Sequence, residues 1–150
     1  MNDPIELRAI RQSAGGNIRL TDRVVTQFYD QIMAPSGISG PQFGLLASLA
    51  AAAPITINGL AEMMTMDRTT LTRNLDVLVK QRLVRSEQGT DRRTRLVSVT
   101  PAGDQALQRA WPLWREAEAR IERALGPDRV AALLAELAAV RVAVRESVLR

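Results

Sequence analysis

Two short runs hold the side chains of this chain that are best suited to chemistry. The first is Thr65, Arg68, Thr69, Thr70, Thr72, Arg73 and Asn74; the second is Arg92, Arg93 and Arg95. Arginine offers a rigid fork of donors that fits phosphate and the guanine edge, asparagine matches adenine, and threonine supplies a hydroxyl for phosphate and a methyl for thymine. Catalytic equipment is sparse by comparison. The 150 residues include no cysteine and no histidine, which removes the usual nucleophilic thiol, general base and metal ligands together with disulfides and thiol switches. Carboxylates, Tyr29, Lys80 and hydroxyls are all that remain for catalysis. Composition does not exclude an enzyme but leaves it little of the common toolkit, so a binding protein with no enzyme activity, cofactor or metal is the expectation once the motifs below are counted.

Charge is distributed unevenly. The chain carries 20 basic and 16 acidic residues, a net charge of +4. Residues 1–33 hold four of each sign, residues 34–100 hold eight basic against five acidic, and residues 101–150 hold eight against seven. The excess therefore lies in the middle third, as expected for a local polyanion-binding surface. Nineteen of the cations are arginine, which fits phosphate recognition and equally fits the base composition of the genome. No uncharged apolar run approaches the roughly 20 residues that span a bilayer. The opening Met-Asn-Asp-Pro-Ile-Glu has neither a basic nor an apolar leader segment, so a cytoplasmic protein with no membrane partner is expected.

The elements that must position these runs follow from periodicity. Residues 5–33 read as one helix, with Ile10, Ala14, Ile18, Val25, Phe28 and Ile32 at helical spacing, ended by the turn residues 35–40. A helix opening near Pro41 shows Phe43, Leu46, Leu49 and Ala50 on its apolar face. Pro54 then breaks the chain, and Thr56 to Met64 form a short helix with Leu60, Ala61 and Met64 inward. A turn at Thr65-Met66 leads into a helix from Asp67 to Gln81. It buries Leu71, Leu75, Leu78 and Val79 and shows Arg68, Thr69, Thr72, Arg73 and Asp76 outward. At Leu83 the period falls from 3.6 to 2: residues 83–86 and 95–99 form a hairpin whose loop, 87–94, carries Arg92 and Arg93 near its tip.

Thr100-Pro101 starts a helix reaching Leu125, with Pro112 expected to kink it. Gly126-Pro127 stops it. The final helix, 128–149, carries a stripe of Val130, Leu133, Leu134, Leu137, Val140, Val144 and Val148. Arg115, Arg120 and Arg123 alternate with Glu116, Glu118 and Glu122 as a solvated, ion-paired face. Met63, Met64 and Met66 read as core filler. Striped helices at both ends need a surface to cover them, and a two-fold homodimer supplies it. Trp111 and Trp114, beside the proline, either line a ligand cavity or pack at the dimer junction; their spacing fits both.

The stretch Met66-Asp-Arg-Thr-Thr-Leu-Thr-Arg-Asn-Leu-Asp-Val-Leu-Val-Lys-Gln-Arg-Leu-Val84 resembles the recognition helix of the multiple-antibiotic-resistance regulator (MarR) family. Asp91-Arg-Arg-Thr-Arg-Leu-Val-Ser-Val-Thr-Pro-Ala-Gly103 resembles that family's wing and the turn into its next helix. The Asp-x-Arg pattern falls on Asp91 and Arg93, and Leu/Val-Thr-x-x-Gly on Val99, Thr100 and Gly103. One departure is Arg82, where the family often has glycine.

The resemblance implies a mostly α fold: a winged helix-turn-helix lobe (35–100) with a β-hairpin wing, flanked by dimerisation helices (1–34 and 101–150). It implies a repressor that binds a pseudo-palindromic operator in double-stranded DNA as a homodimer and responds to a small-molecule effector. Arg68, Thr69, Thr70, Thr72 and Arg73 then face the major groove and Arg93 the minor groove. Asp91 is expected to orient an arginine. Mechanisms that sense oxidants through cysteine are excluded by composition.

Overall fold

A computed structural model describes residues 9, 12–89, 91 and 94–148. The expectations for Ile10, Arg92, Arg93, Leu149 and the side chain of Val148 lie outside the described residues. The six α-helices and three strands of the described part are α1 (Ala14–Met33), α2 (Gly40–Ala52), β1 (Ile55–Thr56), α3 (Ile57–Met64), α4 (Arg68–Lys80), β2 (Val84–Gln88), β3 (Arg95–Val99), α5 (Pro101–Leu125) and α6 (Pro127–Val148). No helix among the described residues is long and apolar enough to cross a membrane.

The chain divides into two units, Met1–Trp114 and Arg115–Arg150, parting within α5. The first unit holds one core. Met33 of α1, Phe43, Leu45, Leu46 and Leu49 of α2, Leu60 of α3, Leu71, Leu75 and Leu78 of α4, Val84, Val97, and Ala106 and Ala110 of α5 form a single buried cluster. The recognition-type helix α4 is thus anchored along one stripe, leaving the opposite face to solvent.

Local sequence explains most of the boundaries. Ser39 and Gln42 form a reciprocal capping box at the start of α2, with Pro41 in its first turn. Thr56 caps α3 through the Gly59 N–H at 3.0 Å. Thr65, in the left-handed region at φ 53°, ends that helix. The sheet has the order β1-β3-β2 and is antiparallel throughout, with Val84 opposite Val99, Ser86 opposite Val97 and Ile55 also opposite Val97.

Several expectations are corrected. The helix foreseen over 5–33 is interrupted at Ser13, whose extended backbone (φ −78°, ψ 146°) and hydroxyl, accepting from the Gly16 N–H at 3.0 Å, start α1 afresh. In α2 the buried face uses Leu45, and Ala50 is exposed. Val79 is 39% exposed, because Leu71, Leu75 and Leu78 already fill the face of α4 that meets the core. Met63 is exposed, whereas Met64 and Met66 pack against the core. Strand β1 was not foreseen, since two residues are too few to show a period. Strand β2 begins at Val84 and runs to Gln88, into what reads as loop.

Pro112 lies inside α5, which continues through it. In the second unit, Glu116 accepts from Arg120 at 2.8 Å and from Arg123 at 3.3 Å, the expected ion-paired face. Leu133, Leu134, Val142 and Val144 of α6 are exposed.

The junction between α4, the hairpin and α5 is tightly specified. The Thr100 hydroxyl donates to the Arg82 carbonyl at 2.7 Å and accepts from the Gly103 N–H at 3.1 Å, while the Thr100 N–H donates to the Leu83 carbonyl at 3.0 Å. A β-carbon on Gly103 would fall 2.2 Å from the Leu83 oxygen, so only glycine fits. Arg82 sits at φ 60°, a conformation that glycine adopts without cost.

In urea denaturation, Gly103→Ala is expected to lose about 1–3 kcal/mol by overpacking. Arg82→Gly is expected to gain up to about 1 kcal/mol, as relief of left-handed strain outweighs the added freedom of the unfolded chain.

Candidate functional site

The outer face of α4 is set by its N-cap. The Asp67 carboxylate accepts from the N–H groups of Thr69 at 3.1 Å and Thr70 at 3.2 Å, and from the Thr70 hydroxyl at 3.0 Å. These bonds, the Thr69 N–H first, hold its carboxyl below the ordinary carboxylate value. With the first turn fixed, Arg68, Thr69, Thr70, Arg73 and Asn74 are exposed and Thr72 is half-buried.

These groups are not equivalent. The Thr72 hydroxyl donates to the Arg68 carbonyl at 2.8 Å and the Thr70 hydroxyl to Asp67, so both donors are used within the helix. Thr69 and Arg73, four residues apart, form one outward lane that continues to Asp76 and Lys80. Asn74 lies on the next lane. Its amide donates to the Met66 sulfur at 3.8 Å, and it borders a notch of about 140 Å³ shared with Ser39, Pro41 and Gln42 at the start of α2. Thr65 sits at the bend ahead of α4 and is exposed.

The structure joins the two cationic runs. Arg68 of α4 and Arg95 of β3 line one polar notch of about 190 Å³, together with Thr56, Asn58 and Thr94. Neither arginine makes an ion pair among the described residues, whereas Arg85 is engaged by Ser98 at 2.8 Å and Glu87 at 3.3 Å. Thr56 and Asn58 were not singled out from sequence. Nothing in their local pattern marks them, because the notch exists only where the start of α3 meets the base of the hairpin.

The base of the wing loop is closed by Gly89 N–H to Thr94 carbonyl, and by the Thr94 N–H and hydroxyl on the Asp91 carbonyl at 2.9 and 2.8 Å. A β-carbon on Gly89 would press on the Thr94 hydroxyl, which would have to turn away from the Asp91 carbonyl to make room. Arg92 and Arg93 themselves lie outside the described residues.

Trp111 and Trp114 meet a third aromatic. Their rings stack at 5.2 Å, and Phe43 lies 5.8 Å from Trp114 and 6.4 Å from Trp111. They line a cavity of about 470 Å³ with Tyr29, Gly44 and Ala47, and a second of about 430 Å³ adjoins it across Trp111, which is 52% exposed. Tyr29, Phe43 and Gly44 could not be assigned to this cavity from sequence, as they come from two helices separated by a turn.

Known proteins share this arrangement. A family model described as "MarR family" matches residues 36–94. The transcriptional regulator MosR of M. tuberculosis, solved in complex with DNA, is 36% identical over 89% of this chain and 99% of its own, with a TM-score of 0.79. The chain belongs to the MarR family. It is accordingly a DNA-binding transcription regulator of mostly α, winged helix-turn-helix fold. A mutant form of E. coli MarR complexed with operator DNA is 28% identical over 84% of this chain and 91% of its own, with a TM-score of 0.77. PcaV of Streptomyces coelicolor, in complex with its natural ligand, has the same fold: TM-score 0.81 at 17% identity, over 95% of this chain and 99% of its own. No curated protein sequence matches the chain.

The Asp67 cap yields a pH prediction. Its folded value is lowered, so its contribution to α4 is full above the ordinary carboxylate range and is lost as the pH falls through the lowered value. Asp67→Asn keeps an N-cap acceptor but removes the charge. Its denaturation midpoint, measured from pH 6 to pH 2, is expected to fall less steeply than that of the unaltered protein.

Proposed function

We propose that this MarR-family regulator is a repressor that binds a pseudo-palindromic operator as a homodimer and is released by a small-molecule effector. The convergence of Arg68 and Arg95 on one notch, free of ion pairs among the described residues, is the observation that carries the DNA-contact reading. It gives helix and hairpin a shared phosphate seat. In this reading Thr69 and Arg73 reach base edges in the major groove, with Thr65, Thr70 and Thr72 lending oxygen or methyl contacts and Asn74 flanking them. Arg93, with Arg92 beside it, enters the minor groove, where the negative potential is enhanced. The protein acts by binding rather than by catalysis, in the cytoplasm with the chromosome.

The dimer reading rests on apolar surface. Ile18, Leu20, Val24 and Val25 of α1 and Leu133, Leu134, Val142 and Val144 of α6 are exposed, apolar side chains that a second copy would cover. A two-fold arrangement sets two copies of α4 about 34–36 Å apart, one turn of duplex. An effector in the aromatic cavity weakens operator binding by favouring a different spacing, through its differential affinity for the two states.

In an electrophoretic shift assay with the gene's own upstream DNA, the unaltered protein is expected to give a specific complex. Arg95→Ala and Arg93→Ala should each reduce the slope of affinity against salt by about one counterion. Arg68→Ala should do the same if Arg68 grips phosphate, or relax preference at one base per half-site, by about 1–3 kcal/mol, if it reads guanine. Absence of any complex at low salt would remove the reading.

Leu134→Glu, at a side chain 61% exposed, is expected to shift sedimentation from dimer toward monomer while leaving helical content unchanged. A dimer indifferent to this change would place the interface elsewhere.

A further inference from the structure

All the sulfur of this chain is thioether: it has five methionines and no cysteine. Three of the five, Met63, Met64 and Met66, stand at the end of α3 and in the turn that leads into α4. Their surroundings differ. Met63 is 48% exposed, Met64 and Met66 are half-buried against the core, and Met33, at the end of α1, is fully buried. The sulfur that a two-electron oxidant can reach is therefore concentrated between the two helices of the DNA-reading pair.

Met66 is set apart by what its sulfur touches. Its N–H donates to the Ala61 carbonyl at 2.9 Å, which fixes the turn, and the next residue, Asp67, caps α4. Its sulfur accepts from the Asn74 side-chain amide at 3.8 Å, the one hydrogen bond that this amide makes among the described residues. Asn74 itself is exposed on α4. A thioether is a weak acceptor, so the amide can leave it at little cost to pair with an adenine edge. A sulfoxide holds it differently. Its oxygen is a strong acceptor, and the nearest donor to receive it is the same Asn74 amide.

We infer that Met66 is a redox modification site, and that its oxidation by a peroxide withdraws Asn74 from DNA. The Met66 sulfur attacks one oxygen of hydrogen peroxide, and the O–O bond breaks as the S–O bond forms. The departing hydroxide takes the proton left on the transferred oxygen and leaves as water. Sulfur is oxidised by two electrons, the peroxide is reduced, and no further reactant is consumed. Met63 is more exposed and is oxidised as well, but its sulfur accepts no hydrogen bond among the described residues, so its sulfoxide leaves Asn74 where it was. This inference rests on the reading of Asn74 as flanking the base contacts, so its test follows the amide both without and with DNA.

The full-length protein is treated with hydrogen peroxide until peptide mass spectrometry shows one added oxygen on Met66. Without DNA, the side-chain amide resonances of Asn74 are expected to move downfield. In an electrophoretic shift with the gene's own upstream DNA, affinity is expected to fall about fivefold, the worth of one hydrogen bond. A methionine sulfoxide reductase should restore both. Met66→Leu, of similar volume, should bind before treatment and keep its affinity after it, whereas Met63→Leu should lose affinity as the unaltered protein does. Asn74→Ala, weaker from the start, should lose nothing more. If Met66→Leu fails to fold, reversal by the reductase in the unaltered chain decides the same question. A Met66 that stays unoxidised at a dose converting all of Met63 overturns the site. An oxidised Met66 with an unmoved Asn74 amide overturns the coupling, whatever the DNA result. A shifted amide with unchanged DNA affinity overturns the part assigned to Asn74 at the bases and leaves the modification site standing. A further loss in Asn74→Ala also overturns the inference, because the effect then passes through packing of the turn.

Discussion

Everything that could grip DNA in this protein hangs from the backbone junction at Thr100. There the chain leaves α4, enters β2, returns along β3 and starts α5. The Leu83 N–H donates to the Leu78 carbonyl at 2.9 Å and the Arg82 N–H to the Val79 carbonyl at 2.9 Å; the Thr100 N–H and hydroxyl then take the Leu83 and Arg82 carbonyls. Together these bonds tie the hairpin to the end of α4 and the start of α5. Gly103 completes the joint by letting the first turn of α5 press onto the Leu83 oxygen. The Val99-Thr100…Gly103 pattern is therefore a mechanical requirement before it is a family marker.

From that joint two surfaces follow. On one, β3 carries Arg95 to the start of α4, and Arg68 meets it over the opening of α3. Two arginines from distant parts of the chain then line one notch, the seat the proposed reading gives to a phosphate. On the other, α5 carries Trp111 and Trp114 to Phe43 of α2. Phe43 is both a wall of the cavity and a member of the core cluster that holds α4. In the proposed reading, an effector wedged against Phe43 would bear on the same packing that orients α4, a physical route by which it would reach the operator.

The charge pattern of α4 also has a division of labour. Asp67 is an anion at the start of α4, yet both its oxygens accept from Thr69 and Thr70 donors, so it organises the helix start. Thr70 and Thr72 spend their hydroxyl protons inside the helix. Of the α4 residues singled out from sequence, Arg68, Thr69 and Arg73 remain outward with no side-chain partner among the described residues.

Much of the fold was legible because it depends on short-range pattern. The stripe of Leu71, Leu75 and Leu78, the period change at Leu83, and the helix start at Thr100-Pro101 are local, and a helix or hairpin reports them within a few residues. Sequence alone likewise determined the mostly α winged-helix class and removed thiol and imidazole chemistry. The break at Ser13, the two-residue strand Ile55–Thr56, the exposure of Val79 and Ala50, the meeting of Arg68 with Arg95, and the aromatic cavity were decided only by tertiary structure. Each depends on which neighbour arrives from elsewhere in the chain, and helical or strand periodicity names the buried face without naming what is packed against it.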